Sequence, residues 1–164
     1  TAPSGANKQP WRFVCVQDQD LKSQIREAAE VEEAALYEHR AGKEWLEDLE
    51  PLGTNENKKF LEIAPWLVVV FKLNQTDEGG RVYYSEQSIG IATGMFLAAA
   101  QYAGLATLTH TPSPMAFLST VLSRPAHEKP YMLIPLGYPS DDCQVPVHAA
   151  YRRPLSEVMI LDKG

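Results

Sequence analysis

The chain has 164 residues, of which 45% are hydrophobic. A chain of this length buries about 70% of the surface that its unfolded form exposes, so one domain with one core is expected over residues 1–164. The 15 basic and 21 acidic residues give a net charge of −6, without any run of Lys or Arg. This balance excludes nucleic acid and anionic lipid as partners and favours small-molecule chemistry.

The first 40 residues predict a loop, a strand and a long helix. Residues 1–10 (TAPSGANKQP) are rich in Pro, Gly, Asn and Ser, a composition typical of loops. Residues 11–17 (WRFVCVQ) predict a strand. Asp18 or Asp20 can cap the helix, whose apolar stripe continues to about Arg40.

The next part of the chain predicts a second helix and a buried strand. Gly42 is expected to end or bend the first helix. The second helical stretch, 56–63, stops before Pro65, because the residue preceding a proline is disfavoured in the α region. WLVVVFK (66–72) then predicts the buried strand.

The second half continues the alternation of helices and strands. A turn over 74–80 leads to a helix over 83–102, and a helix over 115–122 separates two short strands, 106–111 and 131–138. This order predicts an α/β or α+β layered sheet.

Two segments need a separate interpretation. Residues 87–123 carry no formal charge, but polar residues interrupt them and Gly104 marks a change from helix to strand. A buried helix followed by a strand is therefore favoured over a membrane span. From Pro139 the chain is irregular and ends in the amphipathic LSEVMIL, which is typical of a tail that docks on a partner.

Several motifs and metal-ligand patterns are absent from the sequence. GxGxxG, GxxxxGK[ST], GxSxG and HExxH do not occur, which disfavours hydrolases and kinases. Cys15 and Cys143 form no CxxC pair, and this fits a reducing compartment. No metal site is predicted, because the four histidines lack metal-ligand spacing: His39, His110, His127 and His148.

Five local patterns resemble one family of flavoenzymes. They are TAPSGANKQPW (1–11), THTPSP (109–114), RPAHEKP (124–130), LIPLGYPS (133–140) and YRRPL (151–155). Together with EEAALY (32–37) and the stretch containing Lys58, they resemble the nitroreductase-fold FMN enzymes and, among these, the iodotyrosine deiodinases. The resemblance implies an α/β (α+β) fold with a central mixed sheet flanked by helices, in a domain-swapped homodimer.

The APSG turn is a candidate anion site. Gly5 allows close approach and Pro3 fixes the entry of the chain, so backbone N–H groups can point inward. The resemblance implies that Ser4 contacts FMN and that the Ala6 N–H meets the phenolic oxygen of the substrate. An ordinary surface turn is the alternative.

The THT sequence after the strand ATL can present hydroxyl groups to a ligand at a strand end. The resemblance places Thr109, His110 and Thr111 along the flavin. It assigns to the Thr111 hydroxyl a hydrogen bond with flavin N5, a contact that the family associates with one-electron steps. The alternative is a strand end whose threonines satisfy their own backbone.

Arg152 and Arg153 precede Pro154, and a guanidinium group suits the polar edge or phosphate of FMN. The family pattern R-x-P selects Arg152. The segment before it is two residues longer than in the family, so Arg153 is an alternative flavin ligand. A solvated surface charge is the alternative for either residue.

Glu33 and Tyr37 share one face of the first helix, and Lys58 lies on the second helical stretch. A carboxylate, a phenol and an ammonium group together complement an amino-acid zwitterion. The resemblance assigns Glu33 to the ammonium of the substrate, Lys58 to its carboxylate and Tyr37 to either. A solvated helix face, on which Glu30 or Glu32 would serve equally, is the alternative.

Gly90, Gly94 and Ala98 recur every four residues and form a smooth strip on one helix face. The resemblance places this helix in the homodimer interface, with FMN bound between the two subunits. A core contact within the monomer is the alternative.

The resemblance implies reductive dehalogenation of iodotyrosine or bromotyrosine, with an NAD(P)H-dependent reductase as electron donor and the 33–58 region as a lid. A broad nitroreductase or quinone reductase is one alternative, and a non-catalytic flavin- or iodotyrosine-binding module is another. The family's Arg-rich FMN phosphate segment does not precede TAPSG, so we expect a fragment of a longer polypeptide. Location stays open: cytoplasmic in a microbe, membrane-anchored with an N-terminal span.

Overall fold

The computed structural model describes residues 2–162. The strands and α-helices of this range are, in chain order, β1 Trp11–Val16, α1 Gln19–Ala35, α2 Lys43–Leu49, α3 Phe60–Ile63, β2 Trp66–Leu73, α4 Ser85–Tyr102, β3 Ala106–Thr107, α5 Ala116–Val121, β4 Glu128–Gly137 and α6 Leu155–Val158. A π-helical turn, Leu36–Arg40, extends α1, and short 3₁₀ turns cover Gly5–Asn7, Glu50–Leu52 and Val147–Ala150.

The four strands form one sheet in the order β1-β2-β4-β3, and each neighbouring pair is antiparallel. The prediction of a mixed sheet is therefore not met by the strands of residues 2–162. β2 and β3 do run in the same direction, since both are antiparallel to β4. β4 lies between β2 and β3 and is hydrogen-bonded to both. The two parallel strands are therefore not hydrogen-bonded to each other.

The helices pack on both faces of the sheet. Because side chains alternate along a strand, Val69 and Phe71 of β2 face α1, α3 and α5, whereas Val68 and Val70 face Ile89 of α4. A central strand that is covered on both faces has an almost continuous apolar sequence, which is why WLVVVF was readable as a buried strand. The layered fold is confirmed.

Most predicted elements are present within a few residues of their expected bounds. Asp18 is the N-cap of α1, with its carboxylate accepting the Leu21 N–H at 2.9 Å. This contact decides between Asp18 and Asp20. Gly42 precedes α2, as expected for a residue that ends or bends the first helix.

Two helical predictions were wrong in detail. The helix α2 was not predicted; it has seven residues, and none of them is fully buried. The 56–63 helix is shortened to Phe60–Ile63, because Asn55 and Asn57 accept hydrogen bonds from the backbone N–H groups of Asn57 and Lys59 at 2.9 and 3.2 Å. Such local side-chain bonds compete with helix formation.

The uncharged segment forms α4 and β3, as predicted. One side of α4 packs on the sheet through Ile89, while Ile91 and Met95 on the other side are 47% and 45% exposed. Within residues 2–162, none of the helices combines the length and hydropathy needed to cross a membrane.

An ion-pair cluster around Glu128 joins β1, β4 and the end of α5. The Glu128 carboxylate is 1% exposed and accepts from Arg124 at 2.6 and 2.9 Å and from Arg12 at 3.1 Å. Arg12 continues to Asp77 at 2.7 Å. The hydrogen bonds from Arg124 and then Arg12 hold the pKa of Glu128 below its usual value.

The carboxylates of Asp77 and Glu128 and the ring of His127 lie within 4.8 Å of one another. This geometry resembles a cation site, but the two guanidinium groups already bind the carboxylates. The cluster is therefore a structural one that ties the edge strand β1 to β4.

We expect Glu128→Gln to lower the free energy of unfolding by about 2–3 kcal/mol at neutral pH, because it leaves two guanidinium groups beside an uncharged, buried partner. Urea denaturation measures this. Glu157→Gln, which alters an exposed pair with Arg153, is the control and should change stability by less than about 0.5 kcal/mol. Equal stabilities for the two variants contradict the assignment.

Because the folded pKa of Glu128 is lowered, the contribution of this cluster to the free energy of unfolding is present at neutral pH and is lost on acidification below about pH 4.

Candidate functional site

One face of α1 carries a polar stripe that is bonded to the segment 54–64. Its members are spaced three or four residues apart and thus share a helix face: Lys22, Arg26, Glu30, Glu33 and Tyr37. The Lys22 ammonium donates to the carbonyls of Glu62 and Ala64 at 3.1 and 2.9 Å at the end of α3. The stripe and the segment run antiparallel, so Tyr37 lies at the start of the segment.

Three predicted site residues meet at this stripe. The Glu33 Oε2 lies 2.9 Å from the Lys58 Nζ, and the two residues are 6% and 2% exposed. Lys58 also donates to the Asn55 carbonyl and to the Thr54 Oγ1. The Tyr37 hydroxyl lies 3.3 Å from the same Thr54 oxygen. The predicted proximity of Glu33, Tyr37 and Lys58 is therefore present.

The charges of the two ionised groups neutralise each other in this state. All three N–H bonds of the Lys58 ammonium have acceptors within hydrogen-bond reach, which offsets the cost of burying it. A ligand that carries both an ammonium and a carboxylate has the charges required to replace the pair on both sides.

The THT strand end lies beside this pair. Thr109 and Thr111 are exposed, whereas His110 between them is 9% exposed, as alternation along an extended chain requires. The His110 N–H and carbonyl each bond with Leu133 of β4 at 2.9 Å. Its ring meets the edge of Phe60, with ring centres 5.7 Å apart.

His110 turns inward rather than toward the exposed side of the strand end. Its Nε2 has no hydrogen-bond partner among residues 2–162. Burial, and then the charge of Lys58, lower the pKa of His110 to about 4, so the ring is neutral at physiological pH. The backbone groups of His110 are paired with Leu133, and the contact of this residue with a flavin stays a prediction.

The APSG turn docks on the start of α4. The Gly5 N–H donates to the Ser88 Oγ at 3.2 Å, and a Cβ on Gly5 would lie 2.7 Å from the Tyr83 carbonyl oxygen. Only glycine fits at this position. Ala6 is exposed with φ of 49°, and its N–H makes no hydrogen bond to residues 2–162. This N–H is free to bind a ligand.

Ser4 has a structural partner in the same turn. Its hydroxyl oxygen accepts the Gln9 N–H at 2.9 Å. The hydroxyl proton of Ser4 is then available as a donor to a ligand.

The two C-terminal arginines, Arg152 and Arg153, have different hydrogen-bond partners. Arg153 pairs with Glu157 at 3.1 Å, one turn along α6. Among residues 2–162, Arg152 donates only to the backbone carbonyls of Ala149 and Tyr151, at 2.8 and 2.7 Å. Within this range its charge is not paired with a carboxylate, which favours it over Arg153 as an anion ligand.

The strip on α4 does not pack against another helix of residues 2–162. Gly94 and Ala98 are exposed, and a Cβ on Gly94 would meet no atom within 4 Å. An apolar groove of about 780 Å³ lies between the N-terminal turn and α4, lined by Pro3, Trp11, Phe13, Met95, Phe96 and Ala99 among others. Gly90, at the start of the strip, is half-buried near the Tyr131 hydroxyl, so a core contact within the monomer holds for that end of the strip alone.

The predicted site residues fall into separate groups. Glu33, Tyr37 and Lys58 adjoin the THT strand end through His110, whereas Ser4 and Ala6 lie at the start of α4. Within residues 2–162, no hydrogen bond or ion pair joins these groups to each other or to Arg152. Thr54 and Ser88 were not predicted, and they are bonded to Tyr37 and Gly5, which lie 17 and 83 residues away.

Comparisons with known proteins identify the family of this chain. The sequence profile of the nitroreductase family matches residues 1–138. An iodotyrosine deiodinase from Haliscomenobacter hydrossis is 53% identical over 150 residues, a match that covers 89% of this chain and 68% of the relative. The chain belongs to the iodotyrosine deiodinase group of the nitroreductase family.

Other members of the iodotyrosine deiodinase group extend the comparison. Human iodotyrosine deiodinase 1 is 46% identical over 165 residues, covering 98% of this chain and 56% of the human protein. The chain thus spans little more than half the length of that relative. A crystal structure of oxidised iodotyrosine deiodinase bound to FMN and 3-iodo-L-tyrosine superposes with a TM-score of 0.81 at 31% identity, covering 99% of this chain and 79% of that one.

We expect His110 to make the stability of this deiodinase-group chain fall as pH decreases from about 6.5 to 4. The unfolded ring binds a proton near pH 6.5, while the folded ring resists protonation until about pH 4. The contribution of His110 to the free energy of unfolding is therefore fully present above pH 6.5. It decreases below that pH, by up to about 3 kcal/mol.

Urea denaturation at pH 7.5, 6.0 and 5.0 tests this expectation. His110→Gln should flatten the decrease between pH 6.5 and 5, whereas the exposed His148→Gln should retain it. Identical slopes for His110→Gln and the unaltered chain contradict the assignment.

Proposed function

We propose that this protein catalyses the FMN-dependent reductive dehalogenation of iodotyrosine or bromotyrosine, which releases halide and tyrosine. The observation that carries the proposal is the buried Glu33–Lys58 pair, with Tyr37 linked to it through Thr54. Lys58 lies close enough to His110, between Thr109 and Thr111, for its charge to lower the pKa of the imidazole. Its similarity to a deiodinase bound to FMN and 3-iodo-L-tyrosine supports the substrate class.

The amino-acid end of the substrate replaces the partners of the ion pair. Its ammonium binds the Glu33 carboxylate and its carboxylate binds the Lys58 ammonium, while Tyr37 adds a hydrogen bond to either. Charge-assisted hydrogen bonds of this kind each contribute about 1.5–3 kcal/mol. The receptor therefore selects amino acids over simple phenols.

The phenolic end of the substrate is held by the turn. The free Ala6 N–H donates a hydrogen bond to the phenolate oxygen, and the Gly5–Ser88 bond fixes the direction of the turn. A donor aimed at an oxyanion favours the ionised phenol. A phenolate bound in this way presents its halogen-bearing ring to the cofactor.

The available polar groups fit FMN. Ser4 offers a hydroxyl proton, Thr109 and Thr111 present exposed hydroxyls, and Arg152 has an uncompensated charge. When bound, FMN supplies the two electrons of the reaction. Together with one proton they replace the carbon–halogen bond by a carbon–hydrogen bond and release the halide ion. The Thr111 hydroxyl is the donor that we assign to flavin N5.

Homodimer formation joins the groups that one chain keeps apart. The exposed strip on α4 and the adjacent groove provide the surface, so that the turn of one subunit and the Lys58 region of its partner can border one FMN. An NAD(P)H-dependent reductase is the proposed source of electrons.

The decisive test is anaerobic reoxidation of the FMN-loaded, dithionite-reduced protein. We expect iodotyrosine to restore the absorbance of oxidised flavin with release of stoichiometric iodide, whereas tyrosine leaves the flavin reduced. A binding module shows no reoxidation. A broad nitroreductase is identified by faster reoxidation with a nitroaromatic compound than with iodotyrosine.

The zwitterion receptor is tested with Glu33→Gln and Lys58→Ala. We expect each to lower kcat/KM for iodotyrosine by about 10- to 100-fold, which corresponds to one charge-assisted hydrogen bond. Turnover of 2-iodophenol, which lacks the zwitterion, should change by less than twofold. Glu27→Gln, an exposed carboxylate of the same helix, is the control. Unaltered rates for iodotyrosine in both variants would show that the receptor is wrong.

The dimer is tested with Gly94→Phe. Analytical ultracentrifugation should show a dimer for the unaltered chain and a monomer for this variant, because a large side chain prevents close approach of the two α4 helices. Ser113→Ala, an exposed residue away from α4, should stay dimeric. A monomer in the unaltered, FMN-loaded protein contradicts the proposal.

A further inference from the structure

Glu30 lies one helical turn before Glu33 and contacts the lysine by a different route. Its Oε1 accepts the backbone N–H of Lys58 at 2.9 Å. Its Oε2 pairs with the Arg26 Nη1 at 3.1 Å, and the Arg26 Nε lies 3.1 Å from the Glu62 carboxylate. Lys58 is therefore held on α1 at two points: its ammonium by Glu33 and its backbone by Glu30.

We propose that Glu30 is a positioning residue for halotyrosine binding, which fixes Lys58 through its main chain while the side chain of Lys58 changes partner. This inference rests on the proposed function, because the positioned ammonium is the one assigned to the substrate carboxylate. Glu30 does not contact the substrate itself. It determines where the ammonium is presented.

The need for such a residue follows from the local sequence. Lys58 is buried, but the residues before it from Pro51 to Asn57 are all exposed and end in an asparagine turn instead of a helix. The backbone at Lys58 precedes α3, so no helical hydrogen bond holds its N–H. The carboxylate of Glu30 supplies the missing acceptor.

The two contacts respond differently to a ligand. A zwitterion replaces the Glu33–Lys58 contact, which joins two side chains, whereas the Lys58 N–H is already bound by the Glu30 carboxylate. The segment 54–58 thus stays on α1 when the ion pair opens. A preformed position reduces the cost of ordering the segment on binding.

Arg26 fixes the orientation of the Glu30 carboxylate. Arg26 pairs with Glu30 on its own helix, α1, and with Glu62 on α3. Its guanidinium group therefore joins the Glu30 carboxylate to α3. Glutamine at position 30 retains an oxygen that can accept the Lys58 N–H but loses the charge that pairs with Arg26. Alanine loses both contacts.

The test measures steady-state dehalogenation by the FMN-loaded protein. We expect Glu30→Ala to raise KM for iodotyrosine about tenfold with kcat changed less than twofold, and Glu30→Gln to raise KM by less than about threefold. Neither variant should alter turnover of 2-iodophenol. Glu27→Ala, on the exposed side of α1, is the matched control.

A second measurement does not depend on activity. Amide hydrogen exchange at Lys58 should be at least tenfold faster in Glu30→Ala than in the unaltered chain or Glu27→Ala, while exchange in β2 is unchanged. Unaltered exchange at Lys58 overturns the proposal.

The outcomes distinguish this inference from the proposed function. If the unaltered protein does not dehalogenate iodotyrosine, the proposed function fails, and the exchange result still decides whether Glu30 fixes Lys58. If the unaltered protein is active and Glu30→Ala keeps its KM, positioning fails while the function stands. If Glu30→Ala impairs iodotyrosine and 2-iodophenol equally, the role of Glu30 is structural only and the inference is overturned.

Discussion

The buried pair between Glu33 and Lys58 determines the arrangement of the candidate site. Burying two opposite charges costs several kcal/mol in desolvation, so the pair persists only where the surrounding groups satisfy it. Thr54 and Asn55 accept from the ammonium, and Glu30 accepts from the backbone of the same lysine. Contacts to Lys58 therefore order the exposed segment that precedes α3 and place it over α1.

The elements with a clear local signal were predictable from the sequence. Strands β1 and β2, the capped start of α1 and the helix α4 follow from side-chain patterns a few residues long. The antiparallel sheet was not predictable, because the place of β4 between β2 and β3 depends on pairing between distant strands. Helix α2 was also missed, since it buries none of its own residues.

The candidate site shows the same division between local and distant signals. The spacing of Glu33 and Tyr37 places them on one helix face, and the family resemblance added Lys58. The inward direction of His110 follows from strand alternation once the register with Leu133 is known, but the sequence alone does not give that register. Glu30 could not be distinguished from its acidic neighbours, because its partner is a backbone N–H 28 residues away.

The self-paired state of the receptor has a consequence for selectivity. A ligand with only one charge can replace one member of the pair, but it leaves the other buried without a partner, at a cost of about 3–5 kcal/mol. A ligand without the amino-acid charges leaves the pair closed and gains nothing from it. A zwitterion satisfies both members at once, so opening of the pair is coupled to the presence of both an ammonium and a carboxylate. The neutral ring of His110 beside Lys58 strengthens this coupling, because it adds no competing charge at physiological pH. Under the proposed function, selection for amino acids therefore follows from the ion pair that the ligand has to replace.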